Sequence, residues 1–317
     1  MNILYTSSDR FVPQIAAGIC SLCENNGEAV DLTIYIFSYG ITPSHKDLLT
    51  DLGIRYNRFV KIYEINRPRR DSQGPLYPAN LNPLLMARLT LDKYLPDSVE
   101  RVIYLHPDVI VRKSLASLWD TDLGASVIAG CLDPTVDQHK RASLDMEGIP
   151  YINDGVLLIN LKQWRQTKTG ERIIGYYISQ NGRLFANEQD AVNGVLKGEL
   201  CYLSPEFNYC NIYDLYPYEL LCRLMAPMKY MNRRAYEQAV ADPAVIHYWG
   251  IEKPWRQGNR HPYRQEYQDY LAMTPFAGMK KEKGWKLRLF VYYFFIALTK
   301  PFPIIRYKLV ASILSGF

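Results

Sequence analysis

Apolar residues in the first half of the chain follow two patterns, short continuous runs and helical repeats. Runs rich in β-branched residues predict strands, and apolar positions three or four residues apart predict helices. The predicted strands lie at residues 2–8, 31–38, 59–65 and 101–111, and the predicted helices begin near residue 12 and span 43–53 and 83–95. Strands that alternate with crossover helices are typical of an α/β fold with a mainly parallel sheet.

The second half continues the α/β pattern with less regular spacing. Strand-like runs occur at residues 126–132, 155–161 and 244–250, and a helix is predicted at 188–198. The chain has 317 residues, of which 48% are hydrophobic, so it can bury a sizeable core. No internal repeat or low-complexity linker precedes residue 275, and we expect one catalytic domain over residues 1–275.

Polar residues that follow the predicted strands are the first candidates for a ligand site. Open α/β sheets bind ligands beyond the carboxyl ends of their strands. Such residues occur in TSSDR at 6–10, HPD at 106–108 and LDP at 132–134. The chain lacks GxGxxG, GxxxxGK[ST] and GxSxG, so dinucleotide-binding, P-loop and α/β-hydrolase functions lose their usual support.

His106 and Asp108 stand where the apolar run at 101–111 is interrupted. Two residues apart in an extended segment, their side chains point to the same face. Carboxylate oxygens suit Mg²⁺ or Mn²⁺, and imidazole suits Mn²⁺ better than Mg²⁺. The alternative, favoured by these residues alone, is a turn built by Pro107 in which the Asp binds its own backbone.

Composition narrows the cellular setting. Six scattered cysteines are expected to be reduced thiols, and Cys23 of the CSLC segment falls on the apolar face of a helix. The N-terminus has no secretory signal pattern, so a cytoplasmic location is expected. Residues from Lys280 onward carry a balance of +7, which leaves −2 for the rest of a chain of net charge +5. A slightly acidic main body without basic and aromatic interleaving argues against nucleic-acid binding.

Four separated blocks change the interpretation of the strand ends. RVIYLHPDVIVRKSLASLWDTDLG, YINDGVLLINLKQWR, NEQDAVNGVLKG and VIHYWGIEKPW occur in this order, and together they resemble the retaining glycosyltransferases of family 8. That family contains bacterial lipopolysaccharide galactosyl- and glucosyltransferases and glycogenin, and the likeness runs from Met1 to about Trp255. It implies a GT-A fold, UDP-glucose or UDP-galactose as donor, Mn²⁺ with Mg²⁺ as an alternative, and transfer with retention.

The resemblance implies a metal site at Asp108 and His247. The family has an Asp where this chain has His106, which either binds the metal or hydrogen-bonds the donor ribose. Lys253 and Gly250, in the same block as His247, are expected beside the donor phosphates. The alternatives are a core histidine for His247 and a solvated surface charge for Lys253.

Other donor contacts follow from the same resemblance. Thr6 and Asp9 lie where the family binds uracil and ribose, and Arg88 matches a donor-contacting arginine. Asn153 and Asp154 match an element beside the donor sugar, although Asp154 replaces a small residue.

The NEQD segment supplies the predicted catalytic residues. Glu188 is expected to hydrogen-bond donor-sugar hydroxyls, and Gln189 is expected to face the anomeric carbon. A neutral amide is a poor nucleophile, which favours front-face substitution, while Asp190 stays open as a nucleophile. These acids also suit the first turn of a helix. Asp133 is expected on the acceptor side, or else as a turn residue before Pro134.

Two basic segments are candidates for contact with anionic partners. Residues 276–317 combine basic charge with an apolar run at 289–298 that is far shorter than the roughly 20 residues of a bilayer span. This predicts an amphipathic helical tail at an anionic membrane surface, the alternative being a helix packed on the enzyme. The stretch at 66–75 is either an acceptor contact or a solvated loop.

These features together predict a peripheral enzyme on the inner face of the cell membrane. It would move glucose or galactose from a UDP-sugar to a cell-surface glycan or glycolipid, with Mn²⁺, and form an α-linkage. The competing hypothesis is a degenerate family member that binds nucleotide sugar or a partner without turnover, for which His106 is the best support. A nucleotidyltransferase is disfavoured, because TSSDRF is not a Gly-rich phosphate loop.

Overall fold

The computed structural model describes residues 1–65, 83–181 and 183–315, and the basic stretch at 66–75 lies outside them. Within these ranges the strands are β1 (Asn2–Ser8), β2 (Thr33–Tyr39), β3 (Phe59–Glu64), β4 (Arg101–Leu105), β5 (Val109–Val111), β6 (Ile128–Leu132), β7 (Ile152–Asn160), β8 (Leu200–Leu203) and β9 (Val245–His247). The α-helices there are α1 (Val12–Asn25), α2 (Pro43–Arg55), α3 (Pro83–Leu89), α4 (Ala116–Trp119), α5 (Gln138–Ala142), α6 (Leu161–Gln166), α7 (Thr169–Ser179), α8 (Asn187–Leu196), α9 (Ile212–Leu215), α10 (Tyr218–Met225), α11 (Arg233–Ala241), α12 (Arg264–Ala272), α13 (Lys286–Thr299) and α14 (Pro303–Ser315). Short 3₁₀ helices span Asp9–Phe11, Leu91–Lys93 and Pro205–Asn208.

A seven-stranded sheet in the order β3-β2-β1-β4-β7-β6-β8 forms the centre of the molecule. Every strand of this sheet runs in one direction except β7, which is antiparallel to both of its neighbours. The predicted mainly parallel α/β sheet is therefore confirmed. The carboxyl ends of β1 and β4 lie side by side, because Leu4 pairs with Tyr104.

Both faces of the sheet are buried, which explains why its strands are continuous apolar runs. Leu4, Tyr104 and Leu157 face one apolar core, and Ile3, Ile103 and Leu158 face a second core on the other side. Helix α1 covers the second face of the sheet with its predicted apolar side, on which Cys23 is buried.

The run at 101–111, predicted as one strand, is two strands that belong to different sheets. Strand β4 ends at Leu105, and β5 pairs with β9 in a separate two-stranded sheet. Pro107 has no N–H with which to continue a ladder. The main chain crosses between the sheets, with His106 N donating to Gly155 O at 2.9 Å and Tyr248 N to Asp108 O at 3.0 Å. The break places His106 and Asp108 at the junction of the two sheets.

The predicted C-terminal helical tail is present as α13 and α14. Leu289 and Tyr307 are buried, and Tyr307 OH donates to Thr135 O at 2.9 Å and to Asp137 Oδ2 at 2.8 Å. Tyr292 OH lies 3.4 Å from Oε2 of Glu252. The tail thus contacts both the 133–137 loop and the segment that follows β9. In the part of the chain that the structure describes, no helix has the length and apolar character needed to cross a bilayer.

Candidate active site

Three predicted metal ligands meet where β4 and β9 end. Possible ligand atoms of His106, Asp108 and His247 all lie within 4.8 Å of one another. Asp108 Oδ1 is 3.5 Å from His247 Nε2 and 3.8 Å from His106 Nδ1. This oxygen is buried and accepts no hydrogen bond from any described residue. A buried carboxylate oxygen without a donor is expensive unless a cation or a ligand satisfies it.

Charge at Asp108 is maintained by its neighbour Lys253. Burial opposes ionisation of the carboxyl, yet Lys253, whose Nζ donates to Asp108 Oδ2, holds the pKa of Asp108 well below its usual range. Lys253 also donates to the carbonyl of Tyr248, which anchors it in the segment that follows β9. The carboxylate is therefore ionised at neutral pH, as a metal ligand must be.

His247 is oriented by a chain of buried amides. Its Nδ1 lies 3.0 Å from Oδ1 of Asn208, which can only accept, so Nδ1 carries the proton and Nε2 presents a lone pair toward Asp108. Asn208 Nδ2 in turn donates to Asn153 Oδ1 at 2.8 Å. Metal-binding histidines commonly have their second nitrogen fixed in this way. Asp108 and His247 therefore have the chemistry of a metal site.

Gly155 of β7 provides the space for His247. A Cβ at this position would lie 2.3 Å from His247 Nδ1 and 2.4 Å from its Cε1. Any side chain at position 155 would displace the imidazole, so the glycine in the INDG segment is a steric requirement of the site.

His106 is placed differently from the other two candidates. Arg88 Nη1, which can only donate, lies 3.3 Å from His106 Nε2, so in this arrangement the proton of the ring is on Nδ1, the atom nearest Asp108. Burial lowers the pKa of His106 to about 4, so the ring is neutral. Nδ1 becomes a ligand only if the Arg88 contact is released and Nε2–H turns to Asp154 Oδ1, 3.8 Å away.

Arg88 connects the metal side of the site to the predicted sugar side. The buried guanidinium donates to Asp154 Oδ2 at 2.6 Å and lies 3.3 Å from Glu188 Oε1. Burial opposes the charge of Asp154, but Arg88 holds its pKa below the usual value. Burial raises the pKa of Glu188 to about 7, although Arg88 acts in the opposite direction. The two carboxyl groups thus differ in protonation near neutral pH.

Gln189 and Asp190 occupy unlike environments at the start of α8. Both oxygens of Asp190 are engaged, Oδ1 by Tyr151 OH and Oδ2 by the backbone N of Ala186, each at 2.7 Å. The side chain of Gln189 accepts from Asp154 N at 3.1 Å and donates to Tyr151 OH at 3.1 Å. Asp190 is therefore a buried, structural carboxylate in this arrangement, whereas Gln189 contacts Asp154 and lines the predicted acceptor cavity.

Two adjoining cavities share Glu188. The first, of about 270 Å³, contains two of the three predicted metal ligands and three predicted donor residues together with aromatic residues, and its lining includes Thr6, Arg88, Tyr104, His106, Asp108, Lys253 and Trp255. The second, of about 210 Å³, contains the predicted acceptor and catalytic residues, and its lining includes Asp133, Asp154, Gln189, Asp190 and Trp249. The fold brings these residues together from seven separate segments of sequence.

Three predicted donor residues lie outside the lining of these two cavities. Asp9 accepts from Thr42 N at 2.8 Å and pairs with His45 Nδ1 at 2.8 Å, an arrangement that anchors the start of α2. Asn153 faces Asn208. Gly250 has a φ of +69° and lines a third cavity beside the C-terminal helices.

Several residues of the site were not predicted from the sequence. Tyr104 accepts or donates a 3.1 Å hydrogen bond with Thr6 Oγ1, and its ring lies 5.1 Å from the guanidinium of Arg88. In the sequence it looks like a core residue of β4. Asn208 lay in no motif. Tyr151 opened the YINDG block and Trp249 lay inside the HYWG segment, but neither was assigned a role.

The fold places this chain among known GT-A proteins. The structure of the galactosyltransferase LgtC in complex with donor and acceptor sugar analogues superposes with a TM-score of 0.68 at 24% identity, over 90% of this chain and 99% of that chain. The glycosyltransferase GlyE of Streptococcus pneumoniae superposes with a TM-score of 0.60 at 21% identity, over 85% of this chain and 59% of that chain. The class of protein is therefore a GT-A type α/β fold, as predicted.

Sequence comparison gives the family. The model of glycosyl transferase family 8 matches residues 2–258, and the chain belongs to this family. General stress protein A of Bacillus subtilis is 24% identical over 86% of this chain and 94% of its own length. Lipopolysaccharide 1,2-glucosyltransferase of Escherichia coli K12 is 23% identical over 87% of this chain and 79% of its own length.

Proposed function

We propose that this chain transfers glucose or galactose from a UDP-sugar to a cell-surface glycan or glycolipid, with retention and with a divalent metal ion. The observation that carries the proposal is the buried Asp108 Oδ1, which has no hydrogen-bond donor among the described residues and faces Nε2 of His247 at 3.5 Å. A degenerate protein would gain nothing from keeping an ionised, unsatisfied carboxylate beside an oriented imidazole.

Asp108 and His247 would hold the metal, with His106 available after a change of tautomer. One oxygen and one or two nitrogen ligands suit Mn²⁺, and Mg²⁺ is the second choice. A bound divalent ion supplies positive charge that stabilises a diphosphate leaving group. Lys253 adds a second cation beside Asp108, in the cavity that contains Thr6 and Tyr104.

Arg88, Asp154 and Glu188 would orient the donor sugar. The carboxyl oxygens of Asp154 and Glu188 can accept hydrogen bonds from sugar hydroxyls, and Arg88 holds both groups in place. Asp154 adds a charge at a position where the family commonly has a small residue, so we expect it to affect which hexose is accepted.

Gln189 is the residue we assign to the face of the reacting carbon. Both oxygens of Asp190 are occupied by Tyr151 and Ala186, so a nucleophilic role for Asp190 would require breaking two 2.7 Å hydrogen bonds. An amide does not form a stable glycosyl ester. The arrangement therefore favours front-face substitution, in which fixed dipoles stabilise developing positive charge.

The acceptor would enter beside Asp133 and Trp249, in the cavity on the other side of Glu188. Relatives named lipopolysaccharide 1,2-glucosyltransferase and, in Salmonella typhimurium, lipopolysaccharide 1,3-galactosyltransferase support a glycolipid of this general type. Asp133 already accepts from Thr135 N and Oγ1, and its second oxygen is the one available for a sugar hydroxyl.

The C-terminal helices would hold the enzyme on an anionic membrane at the inner face of the cell. Leu287, Phe290, Phe294 and Leu298 lie on one face of α13 and are 60–73% exposed. Basic residues flank this face, which combines apolar insertion with attraction to anionic lipid.

The test is release of UDP by the purified protein. UDP-glucose and UDP-galactose would be supplied with Mn²⁺ or with chelator, and UDP binding would be measured by calorimetry. We expect Mn²⁺-dependent release from one donor. Metal-dependent binding without release, after addition of membrane glycolipid extract, would favour the degenerate alternative, and no binding of UDP would refute the proposed site.

A further inference from the structure

An apolar cavity lies between the C-terminal helices and the segment that follows β9. Its volume is about 320 Å³, and it is lined mainly by hydrocarbon and aromatic side chains, among them Ile212, Leu215, Phe295, Ile296 and Val310. A water molecule occupies roughly 30 Å³ in the liquid, and a methylene group is of similar size. The cavity therefore has room for roughly ten methylene groups. Its walls offer few partners for water, which makes it a site for a hydrocarbon chain.

The cavity also has a buried cation. Arg306 of α14 lines it, is 4% exposed, and has a buried Nε with no hydrogen-bond partner among the described residues. Its guanidinium carbon lies 5.5 Å from the ring centroid of Tyr216, and no ion pair with a described carboxylate is formed. Because a buried guanidinium is costly without an anion or a full set of acceptors, the cavity favours an anionic group.

The position of the cavity relates it to the candidate active site. Thr135, Lys140 and Trp249 line both this cavity and the predicted acceptor cavity. Lys140 adds a second cation at this shared boundary, where its Nζ lies 4.3 Å from the ring centroid of Phe185. A molecule with a hydrocarbon chain beside α14 and a polar end at Lys140 would therefore reach toward Asp133.

We propose that this cavity, here called the tail cavity, binds the hydrocarbon chain and adjacent anionic group of a lipid-linked acceptor. The assignment rests on the proposed function, since it defines the acceptor of that reaction. It gives the C-terminal helices a role in substrate binding in addition to membrane attachment. The ligand class is a single-chain amphiphile with a phosphate-type head, and the sugar that receives the hexose lies beyond the head.

Direct binding to the full-length protein tests the tail cavity without any dependence on catalysis. Dodecyl phosphate, below its critical micelle concentration, would be titrated by calorimetry, with inorganic phosphate and dodecanol as separate titrants. We expect dodecyl phosphate to bind, dodecanol to bind at least about tenfold more weakly, and inorganic phosphate to show no binding at this site. Equal affinity for dodecanol and dodecyl phosphate would overturn the role of Arg306.

Two substitutions and one matched control locate the binding. Ala311→Phe adds a ring to the cavity wall, and Arg306→Gln removes the buried charge; each should weaken dodecyl phosphate binding at least about tenfold. Lys308→Gln removes a positive charge from an exposed position two residues away on the same helix, and should leave the affinity unchanged. Unchanged binding in both cavity variants, or an equal loss in Lys308→Gln, would refute the proposal. Should Ala311→Phe fail to fold, Arg306→Gln against Lys308→Gln still decides.

Competition separates an acceptor site from a site for bulk membrane lipid. Dodecyl phosphate should inhibit transfer to a membrane glycolipid extract while leaving UDP release by hydrolysis of the donor unchanged. Binding that does not compete with transfer would overturn the acceptor assignment. A protein that neither hydrolyses nor transfers would contradict the proposed function, while the calorimetric result would still stand or fall by itself.

Discussion

Asp108 has one oxygen on Lys253 and the other free of hydrogen bonds in the described structure. The different contacts of its two oxygens explain how this carboxylate can be both buried and charged. The ion pair keeps the group ionised, and the second oxygen remains available for a ligand. The loss of either function should therefore be visible in metal binding.

Asp108→Asn should abolish turnover and lower Mn²⁺ affinity at least about a hundredfold, because the amide offers no charge to the ion. It also leaves Lys253 without its carboxylate, which should lower the free energy of unfolding by about 3 kcal/mol. Calorimetry with Mn²⁺ and UDP, together with chemical denaturation, measures both. Asp51→Asn, at an exposed position on α2, is the matched control and should change neither. Unchanged activity of Asp108→Asn would refute the site.

Asn208 acts through His247 and is the clearest positioning residue. Asn208→Ala should weaken Mn²⁺ affinity by about 10- to 100-fold, since the imidazole loses the acceptor that fixes its tautomer. It should also cost about 1–3 kcal/mol of stability, because Asn153 and His247 lose a buried partner. A metal titration of the folded variant separates the two effects. Wild-type metal affinity in Asn208→Ala would contradict the assigned tautomer.

Glu188 predicts a pH dependence of stability in metal-free protein. Its pKa is raised from 4.5 to about 7, so its contribution to stability is present below its ordinary pKa and is lost as the pH rises through about 7. The side chain introduced by Glu188→Gln stays neutral at every pH. As the pH rises from about 5 to about 8, the free energy of unfolding of this variant should therefore increase by on the order of 2 kcal/mol relative to that of the wild type. Denaturation curves in chelator at both pH values measure this difference. A constant difference would place the pKa of Glu188 near its ordinary value.

At the scale of elements, the site depends on where β4 stops. Strand β4 leaves the main sheet at His106, and β5 joins β9, so the two strand ends carry Asp108 and His247 to one point. Strand β7 pairs with β4, and its Gly155 lies against the imidazole of His247. The metal side of the site is thus a junction between two sheets.

Gly155→Ala tests that junction. The new Cβ would lie 2.3 Å from His247 Nδ1, so we expect loss of Mn²⁺ binding and a large decrease in melting temperature. A Cβ at Gly175, within α7, meets no atom of the other described residues within 4 Å, and Gly175→Ala should raise stability by about 0.5–1 kcal/mol through helix propensity. Thermal denaturation and metal titration of both variants measure the contrast. A tolerated alanine at 155 would show that His247 has room to move.

At the scale of the whole molecule, the C-terminal helices contact two segments that carry residues of the two cavities, the 133–137 loop and the segment that follows β9. Tyr307 reaches the 133–137 loop, and Tyr292 reaches Glu252 beside Lys253. The outer face of α13 remains exposed and apolar.

Replacing Phe290, Phe294 and Leu298 together by serine should lower binding to vesicles that contain anionic lipid by at least about tenfold, because roughly 2 kcal/mol of apolar burial is lost per residue. Cosedimentation at low and high salt measures the apolar and electrostatic parts separately. Val30 is an apolar residue that is 83% exposed and lies far from α13 in the sequence, so Val30→Ser should not change vesicle binding. Equal binding by the triple variant and wild type would contradict a membrane role for α13.

The sequence by itself determined the α/β class and most of the strands, because buried parallel strands are continuous apolar runs that need no partner to be recognised. Asp108 was a candidate because it follows a predicted strand, and His247 and Gln189 became candidates through the resemblance of their sequence blocks to family 8. The short edge strand β8 was missed, and the pairing of β5 with β9 in a separate sheet was not predicted, because each depends on which strand lies alongside.

Only the tertiary structure decided how these candidates are used. Asp9 is hydrogen-bonded to Thr42 and paired with His45, and Asp190 is hydrogen-bonded to Tyr151, because a carboxylate binds the donors that the fold places next to it. The role of Asn208 follows only from its contact with His247, and the role of Arg306 only from its position in the wall of the tail cavity. The physical reason is that hydrogen bonding, burial and steric fit depend on distances through space, which the spacing of residues along a chain does not specify.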